Sequence, residues 1–390
     1  MSTAETGDVY ARLGVRRVIN GYETVSILGA TKLHPEVWAA MGAARDAFVD
    51  LRELHAAVGR RLAALTRNEA AAVTNGASAG MVLATVACAA RRDPSVVLQL
   101  TAPATPTAAR PRVVVQRVHL SPYAQNVRQA GVDLIEVGYA QNATPEEHLA
   151  VALTAPTVAV LYTAGRPYER DGIPLERVVA LARAHDVPVI VDAAALVPPA
   201  ANLWRFTEAG ADLAVFSGGK GLQGPQDAGL VVGRADLVAT IQSINAPIHG
   251  VGRAMKLSKE DVVGLLAAVE LALAADEGAR YAKLRERAER VADGLRGVRG
   301  LEVTVLPDGR QGQPCPRTLA RLSPELGWRR ADLLAALRAG DPAIVLGPYE
   351  DDPEAFYVHP LGLDDDEADA VVAAVRRVLG GVATGSAAAA

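Results

Sequence analysis

Seven short runs rich in Val, Ile and Leu recur at 70–74, 112–118, 132–137, 157–163, 187–192, 212–216 and 229–233. Ala-rich stretches with apolar residues at helical spacing fall between several of them, as in LERVVALARAHD ahead of Val187. Strands that alternate with helices become βαβ units, so the pattern predicts a mostly parallel sheet with helices on its faces. A chain of 390 residues has room for more than that one layer system. Residues 258–300 read as a long linking helix, opened by a Ser258 and Asp261 cap and closed near Gly297. Residues 301–380 mix strands (LEVTVL, TLARL, AIVL, AFYVHP) with two helices, the signature of a small α+β domain. The expected division is an N-terminal arm at 1–40, a large domain at 41–257, the linking helix, the small domain, and an unpacked tail at 381–390.

Bulk properties narrow the function. The chain is 50% hydrophobic and 22% charged, with no apolar run near the roughly 18 residues a membrane span requires. No apolar stretch follows a basic start, so the cytoplasm is the expected compartment. Cys88 and Cys315 stand in unlike contexts, which supports neither a disulfide framework nor a four-ligand zinc site. His34, His55, His148 and His185 form no metal-spaced pair. A formal net charge of −4 offers nucleic acid no general attraction, which favours a small-molecule partner.

The segment FSGGKGLQGPQDAG, residues 216–229, sets Lys220 alone among glycines. A nucleotide phosphate loop is ruled out: the earlier glycine it needs would be at 214, which is Ala214, and Gly221 replaces the magnesium-binding Ser or Thr. A lysine that forms a Schiff base with pyridoxal phosphate makes two other demands, an acid for the pyridine nitrogen and a cradle for the phosphate. Asp192 closes the strand VPVIVD, and strand carboxyl ends are where open α/β sheets hold ligands. Ala195, just beyond, is small enough to lie against a flat ring. Gly76, Ala77 and Ser78 open a helix after a strand, where free amides bind anions, and Ser217 offers a further hydroxyl. His119 and Tyr123 follow another strand and are candidates for the ring's other face, His119 also for proton transfer. Arg253, in a Gly-rich loop, and Arg317, on the small domain, are candidate clamps for a phosphate or carboxylate of the substrate.

In this order the Gly-Ala-Ser loop, His119, Asp192 and Ser217-Gly-Gly-Lys220 resemble fold type I pyridoxal-phosphate enzymes, specifically the branch with selenocysteine synthase and D-glucosaminate-6-phosphate ammonia-lyase. RVINGYETVSILGATKLHPEVWAAM, GRAMKLSKEDVVGLLAAVE and GDPAI look like that branch too. The resemblance implies an aspartate-aminotransferase-like fold with a seven-stranded, mostly parallel sheet, Lys220 as the Schiff-base lysine, Asp192 as the pyridinium partner, and a homodimer. Arg17-Val18-Ile19-Asn20 stands almost at the start, where selenocysteine synthase carries a tRNA-binding extension first, and SILGA replaces its TNLGR-like stretch. The expectation is therefore no tRNA substrate. The expected reaction is lyase chemistry, β-elimination from an amino acid or amino sugar acid, with Lys220 taking the α-proton and His119 protonating the leaving group. An epimerase or racemase, an aldolase or an aminotransferase would use the same residues, and a non-catalytic cofactor-binding protein is the remaining alternative.

Overall fold

The computed structural model describes residues 8–94, 97, 110–140, 142–154 and 156–380. The expected tail at 381–390 lies outside the described residues. The chain forms two compact units. The larger holds Thr31–Ala275 with Arg310–Gln313; the smaller holds Met1–Ala30, Asp276–Gly309 and Pro314–Ala390.

Strand β1 (Val18–Gly21) belongs to the smaller unit. The larger unit contains β2 (Ala70–Asn75), β3 (Arg112–Gln116), β4 (Asp133–Val137), β5 (Thr157–Thr163), β6 (Val189–Asp192), β7 (Leu213–Ser217) and β8 (Ala228–Gly233). They make one seven-stranded sheet in the order β2-β8-β7-β6-β5-β3-β4. Strands β3 to β7 pair in parallel, and β8 runs antiparallel to both β7 and β2. The cause is connection length: a loop of ten residues turns β7 straight back into β8, whereas the parallel pairs need crossovers. Strand β2 consequently points the same way as β7, and the carboxyl ends of β2, β5, β6 and β7 share one edge.

Alternation along each strand sends side chains to two separate apolar layers. Val114, Val160, Val191 and Phe216 pack on one face with Val178, Val179 and Ala182 of the helix Leu175–Ala184. Val113, Val115, Ile190, Val215 and Val231 pack on the other with Leu83 and Val86 of the helix Gly76–Arg92. Edge strand β2 has its Ala71 and Val73 carbonyls taken up by the Gln242 and Asn245 side-chain amides, at 3.1 and 2.9 Å, which blunts that edge against further pairing.

The smaller unit contains β9 (Leu301–Leu306), β10 (Arg317–Leu322), β11 (Ala343–Pro348) and β12 (Ala355–Val358), in the sheet order β1-β11-β12-β10-β9. The expected strands and helices of this region are present. The addition is β1, which pairs in parallel with β11, Val18 opposite Ala343. The sequence gives four residues no periodic signature, and the partner is distant in the chain. Leu333, Leu337, Val371 and Val375 on two helices cover Ile344, Phe356 and Val358 of the sheet.

The long helix expected over 258–300 is two helices, Lys259–Ala274 and Glu277–Leu295. Ser258 does cap the first, accepting from the Asp261 N–H at 3.1 Å. The break has its own signal: Ala275 is extended, and the Asp276 side chain accepts from the Ala279 N–H at 2.9 Å, a new N-cap. Among the described residues no helix is long and apolar enough to cross a membrane. Replacing the second cap, Asp276→Ala, should cost about 1 kcal/mol, read as faster hydrogen exchange over the first turn of Glu277–Leu295 with little change in the larger unit's sheet.

Candidate active site

The shared carboxyl edge of the larger unit assembles most of the expected residues. Asp192 ends β6, in register with Thr163 of β5 on one side and Val215 of β7 on the other. Ser217 ends β7, and Lys220 follows after two glycines. The loop is closed on itself: Gly218 N–H donates to the Ala228 carbonyl at 2.8 Å, Gly224 N–H to the Gly218 carbonyl at 2.9 Å, and Gln223 N–H to the Lys220 carbonyl at 2.9 Å. Thr31 Oγ1 donates to the Gly219 carbonyl at 3.1 Å. A side chain at Gly221 would run into the Val197 carbonyl, so the glycine there serves close backbone packing. Lys220 thus leaves a rigid turn whose backbone is fixed by packing on both sides.

The Asp192 Oδ1 accepts from the Ala194 N–H at 3.1 Å. Burial raises this carboxyl above the ordinary aspartate range, and the Ala194 N–H and the Lys220 charge oppose the rise. Ala195 follows in the same turn, partly exposed.

The helix Gly76–Arg92 begins at the end of β2. Its N-cap, Asn75, makes no capping hydrogen bond; its amide donates instead to the Lys256 carbonyl at 2.9 Å. Gly76 adopts φ +71°, a conformation that costs an L side chain energy, to turn the chain from strand into helix. The first-turn amides of Gly76, Ala77 and Ser78 are left without a side-chain cap, and Ser78 is exposed. Such an end favours an anion through both its N–H groups and the helix dipole. Gly229 of β8 lies between this helix start and Ser217, being in register with Thr74 on one side and Ser217 on the other. Arg253 lies three residues before Lys256, in the loop that Asn75 holds.

Two further expected residues have settings of their own. Arg317 belongs to the smaller unit, on β10. His119 ends a 3-10 turn after β3 and has no accessible surface, so its ring does not face an open cavity as an exposed stacking partner would. It packs edge-on to Tyr162, centroids 4.4 Å apart at 82°, and against Gly172, without a well-formed hydrogen bond at either ring nitrogen among the described residues. Burial pushes it down to about 4, so it is neutral at pH 7. The ring beside the lysine is that of Tyr123: Lys220 Nζ is 5.7 Å from its centroid.

Tyr168 and Arg310 were not singled out from the sequence. Burial raises the Tyr168 hydroxyl, Arg310 opposes the rise, and Asp192 and Tyr123 add to it, so the four groups are electrostatic neighbours. Tyr168 had a signal, its position in the loop after β5. Arg310 had none; it lies between β9 and β10 in sequence yet clusters with the larger unit, where the Gln311 carbonyl accepts from Arg166 N–H at 3.2 Å.

The lysine from a glycine-packed turn, the carboxylate on the adjacent strand and the helix start without a side-chain cap all lie at one edge of the sheet. A family model described as L-seryl-tRNA selenium transferase matches residues 123–285. A 5'-C-glycyluridine monooxygenase-decarboxylase from Streptomyces is 36% identical over 388 residues, 96% of this chain and 94% of that protein. D-Glucosaminate-6-phosphate ammonia lyase from Salmonella typhimurium is 30% identical over 379 residues, 96% of this chain and 98% of that protein. A solved structure of D-glucosaminate-6-phosphate ammonia-lyase aligns with a TM-score of 0.82 at 29% identity, covering 97% of this chain and all of that one. The chain belongs to the selenocysteine synthase-like family of pyridoxal-phosphate enzymes, in the branch with D-glucosaminate-6-phosphate ammonia lyase. It is an enzyme.

The buried neutral His119 makes the fold acid-sensitive. Its folded pKa of about 4 lies below the ordinary imidazole value near 6.5, so the unfolded chain binds the extra proton between those limits. Stability is therefore full above about pH 6.5 and falls as pH drops toward about 4, by an amount on the order of 3 kcal/mol at most. His119→Gln should flatten that part of the urea-unfolding profile against pH; an unchanged slope would mean that the imidazole ring is not buried neutral.

Proposed function

We propose that Lys220 is the residue that carries pyridoxal phosphate and that the protein uses it to break a bond at Cα or Cβ of an α-amino acid. The observation that carries this reading is the convergence of Lys220 and Asp192 at one sheet edge beside the uncapped start of the helix Gly76–Arg92. The residues fit the group. Burial holds the Asp192 carboxyl above the ordinary range despite the Ala194 N–H and the Lys220 charge, and a protonated ring nitrogen would offset that burial. The free amides of Gly76, Ala77 and Ser78, with the hydroxyls of Ser78 and Ser217, suit the phosphate. When bound, the cofactor supplies a sink for the electron pair released at Cα.

The chain's own residues do the rest. Asp192 would hold a proton on the ring nitrogen, and Tyr123, its ring centroid 5.7 Å from Lys220 Nζ, would lie beside the ring. Lys220 Nζ, in its neutral form, would take the α-proton. Arg253 and Arg317 are the proposed partners of the substrate's anionic groups. Departure of a β-substituent after proton removal would leave an enamine, and its imine tautomer takes up water to give the ammonia-lyase outcome, a 2-oxo acid and ammonia. A second reading is favoured by the 36% identity to a monooxygenase-decarboxylase: the bond broken at Cα is then the one to the carboxylate, with dioxygen consumed. Both relatives' names describe substrates in which an amino acid is joined to, or is itself, a sugar framework. An α-amino acid with a sugar-derived side chain is accordingly the substrate class we propose. A second copy of the chain is the proposed partner, supported by the exposure of Trp38, Phe48 and Val49.

Borohydride reduction of the cofactor-loaded protein should fix the cofactor's mass on the peptide containing Lys220. Lys220→Ala should lose that adduct and at least about a thousandfold in turnover; an adduct at another lysine would sink the assignment. Ammonia and a 2-oxo acid formed without oxygen support the lyase outcome, and oxygen-dependent release of carbon dioxide supports the second reading.

A further inference from the structure

The smaller unit buries two polar groups whose hydrogen bonds are incomplete. Arg317 is the first residue of β10, and His359 directly follows β12. Those strands are antiparallel with Thr318 opposite Val358, so one further step sets Arg317 opposite His359, on the face that also carries Tyr357. Arg317 is 5% exposed and His359 2%. The Arg317 Nε donates to the Asp308 carbonyl at 3.0 Å, and its guanidinium lies 4.9 Å from the centroid of the Tyr357 ring. Its Nη1 has no hydrogen-bond partner among the described residues. His359 caps the short turn Pro360–Gly362, its Nδ1 accepting from the Leu361 N–H at 3.4 Å. A neutral imidazole that accepts at Nδ1 carries its proton on Nε2, and Nε2 also has no partner among the described residues. Burial, reinforced by the Arg317 charge, pushes His359 down to about 3 and keeps it neutral. The pair thus presents two unused donors and one positive charge.

We propose that Arg317 and His359 together recognise a carboxylate of the substrate, and that His359 makes this site select a carboxylate over a phosphate. The proposal rests on the anion role given above to Arg317; its new content is the imidazole donor and the selectivity. A carboxylate offers two oxygens for the two donors, and its single charge matches the single charge of Arg317. A phosphate dianion would bring a second negative charge into a buried region where Arg280, the other cation near Cys315, already has the Glu277 and Glu23 carboxylates around it. Glu23, whose Oε2 accepts from the Tyr357 hydroxyl at 3.4 Å, adds to that penalty. A histidine that stayed protonated would abolish the distinction, and burial beside an arginine is what prevents it.

The test is ligand-observed saturation-transfer NMR on the full-length protein, loaded with pyridoxal phosphate and again without it, using acetate and methylphosphonate as probes. Acetate should bind more tightly than methylphosphonate. His359→Leu should weaken acetate by about tenfold or more. His359→Gln, whose amide N–H reaches the Nε2 position, should recover binding to within about threefold of wild type. Should the leucine variant fail to fold, His359→Asn, too short to reach that position, takes its place. Unchanged acetate binding in the leucine or asparagine variant, equal loss in the glutamine variant, or methylphosphonate bound as tightly as acetate overturns the proposal. Acetate binding that survives Arg317→Leu overturns it together with the role of Arg317. Because neither probe carries an amine, failure of the cofactor reading at Lys220 leaves the cofactor-free comparison intact, so the two failures are distinguishable.

Discussion

The reversal between β7 and β8 is the constraint on which the site depends. Every other connection among the inner strands of the large sheet is a crossover that keeps the strands parallel, and this one alone returns directly. It can do so because Gly218 and Gly224 hydrogen-bond within the loop while Gly221 packs against the backbone at Val197. The antiparallel β8 then sets β2 beside it, and with β2 comes the helix Gly76–Arg92. Lysine, carboxylate and helix start are thus placed by one topological decision, and the lysine's backbone has little freedom left to lose when it acts.

Electrostatics follow from that placement. Asp192 is desolvated and receives one backbone N–H, so its ionised form is held by the nearby Lys220 charge and opposed by burial. Tyr168 and Arg310 belong to the same balance, one destabilised as a phenolate and the other working against that rise. The His119 ring is packed against Tyr162 and removed from solvent, and its burial holds it neutral.

Much of this was legible in the sequence because the relevant signals are local. The run VPVIVD announces both a buried strand and the acid at its end, and the density of glycine around Lys220 announces a backbone packed too closely for side chains. The start of the helix Gly76–Arg92 was equally visible from the strand, glycine and small polar residues in succession. What escaped depends on long-range pairing. Strand β1 has meaning only beside β11, Arg310 only where its segment returns to Arg166, and the burial of His119 only once Tyr162 and Gly172 are packed on it. The break at Asp276 is a different case: the N-cap signal was local, but the helical period continues across it and masked it.

The smaller unit leaves Arg317 Nη1 and His359 Nε2 buried with no hydrogen-bond partner among the described residues, and in the larger unit burial holds the Asp192 carboxyl above its ordinary range. Groups of this kind cost free energy in the unliganded protein, because desolvation is only partly offset by hydrogen bonds. A ligand that completes those bonds binds the folded state and not the unfolded chain, so the same groups couple ligand binding to stability. Their geometry also restricts which ligand gains most. At Asp192 the gain goes to a cationic N–H, and at the Arg317 and His359 pair it goes to a two-oxygen acceptor of single charge. Incomplete bonding is therefore where the fold gives up stability and acquires selectivity, and a substrate with an amino acid's carboxylate meets the second condition with its two oxygens and single charge.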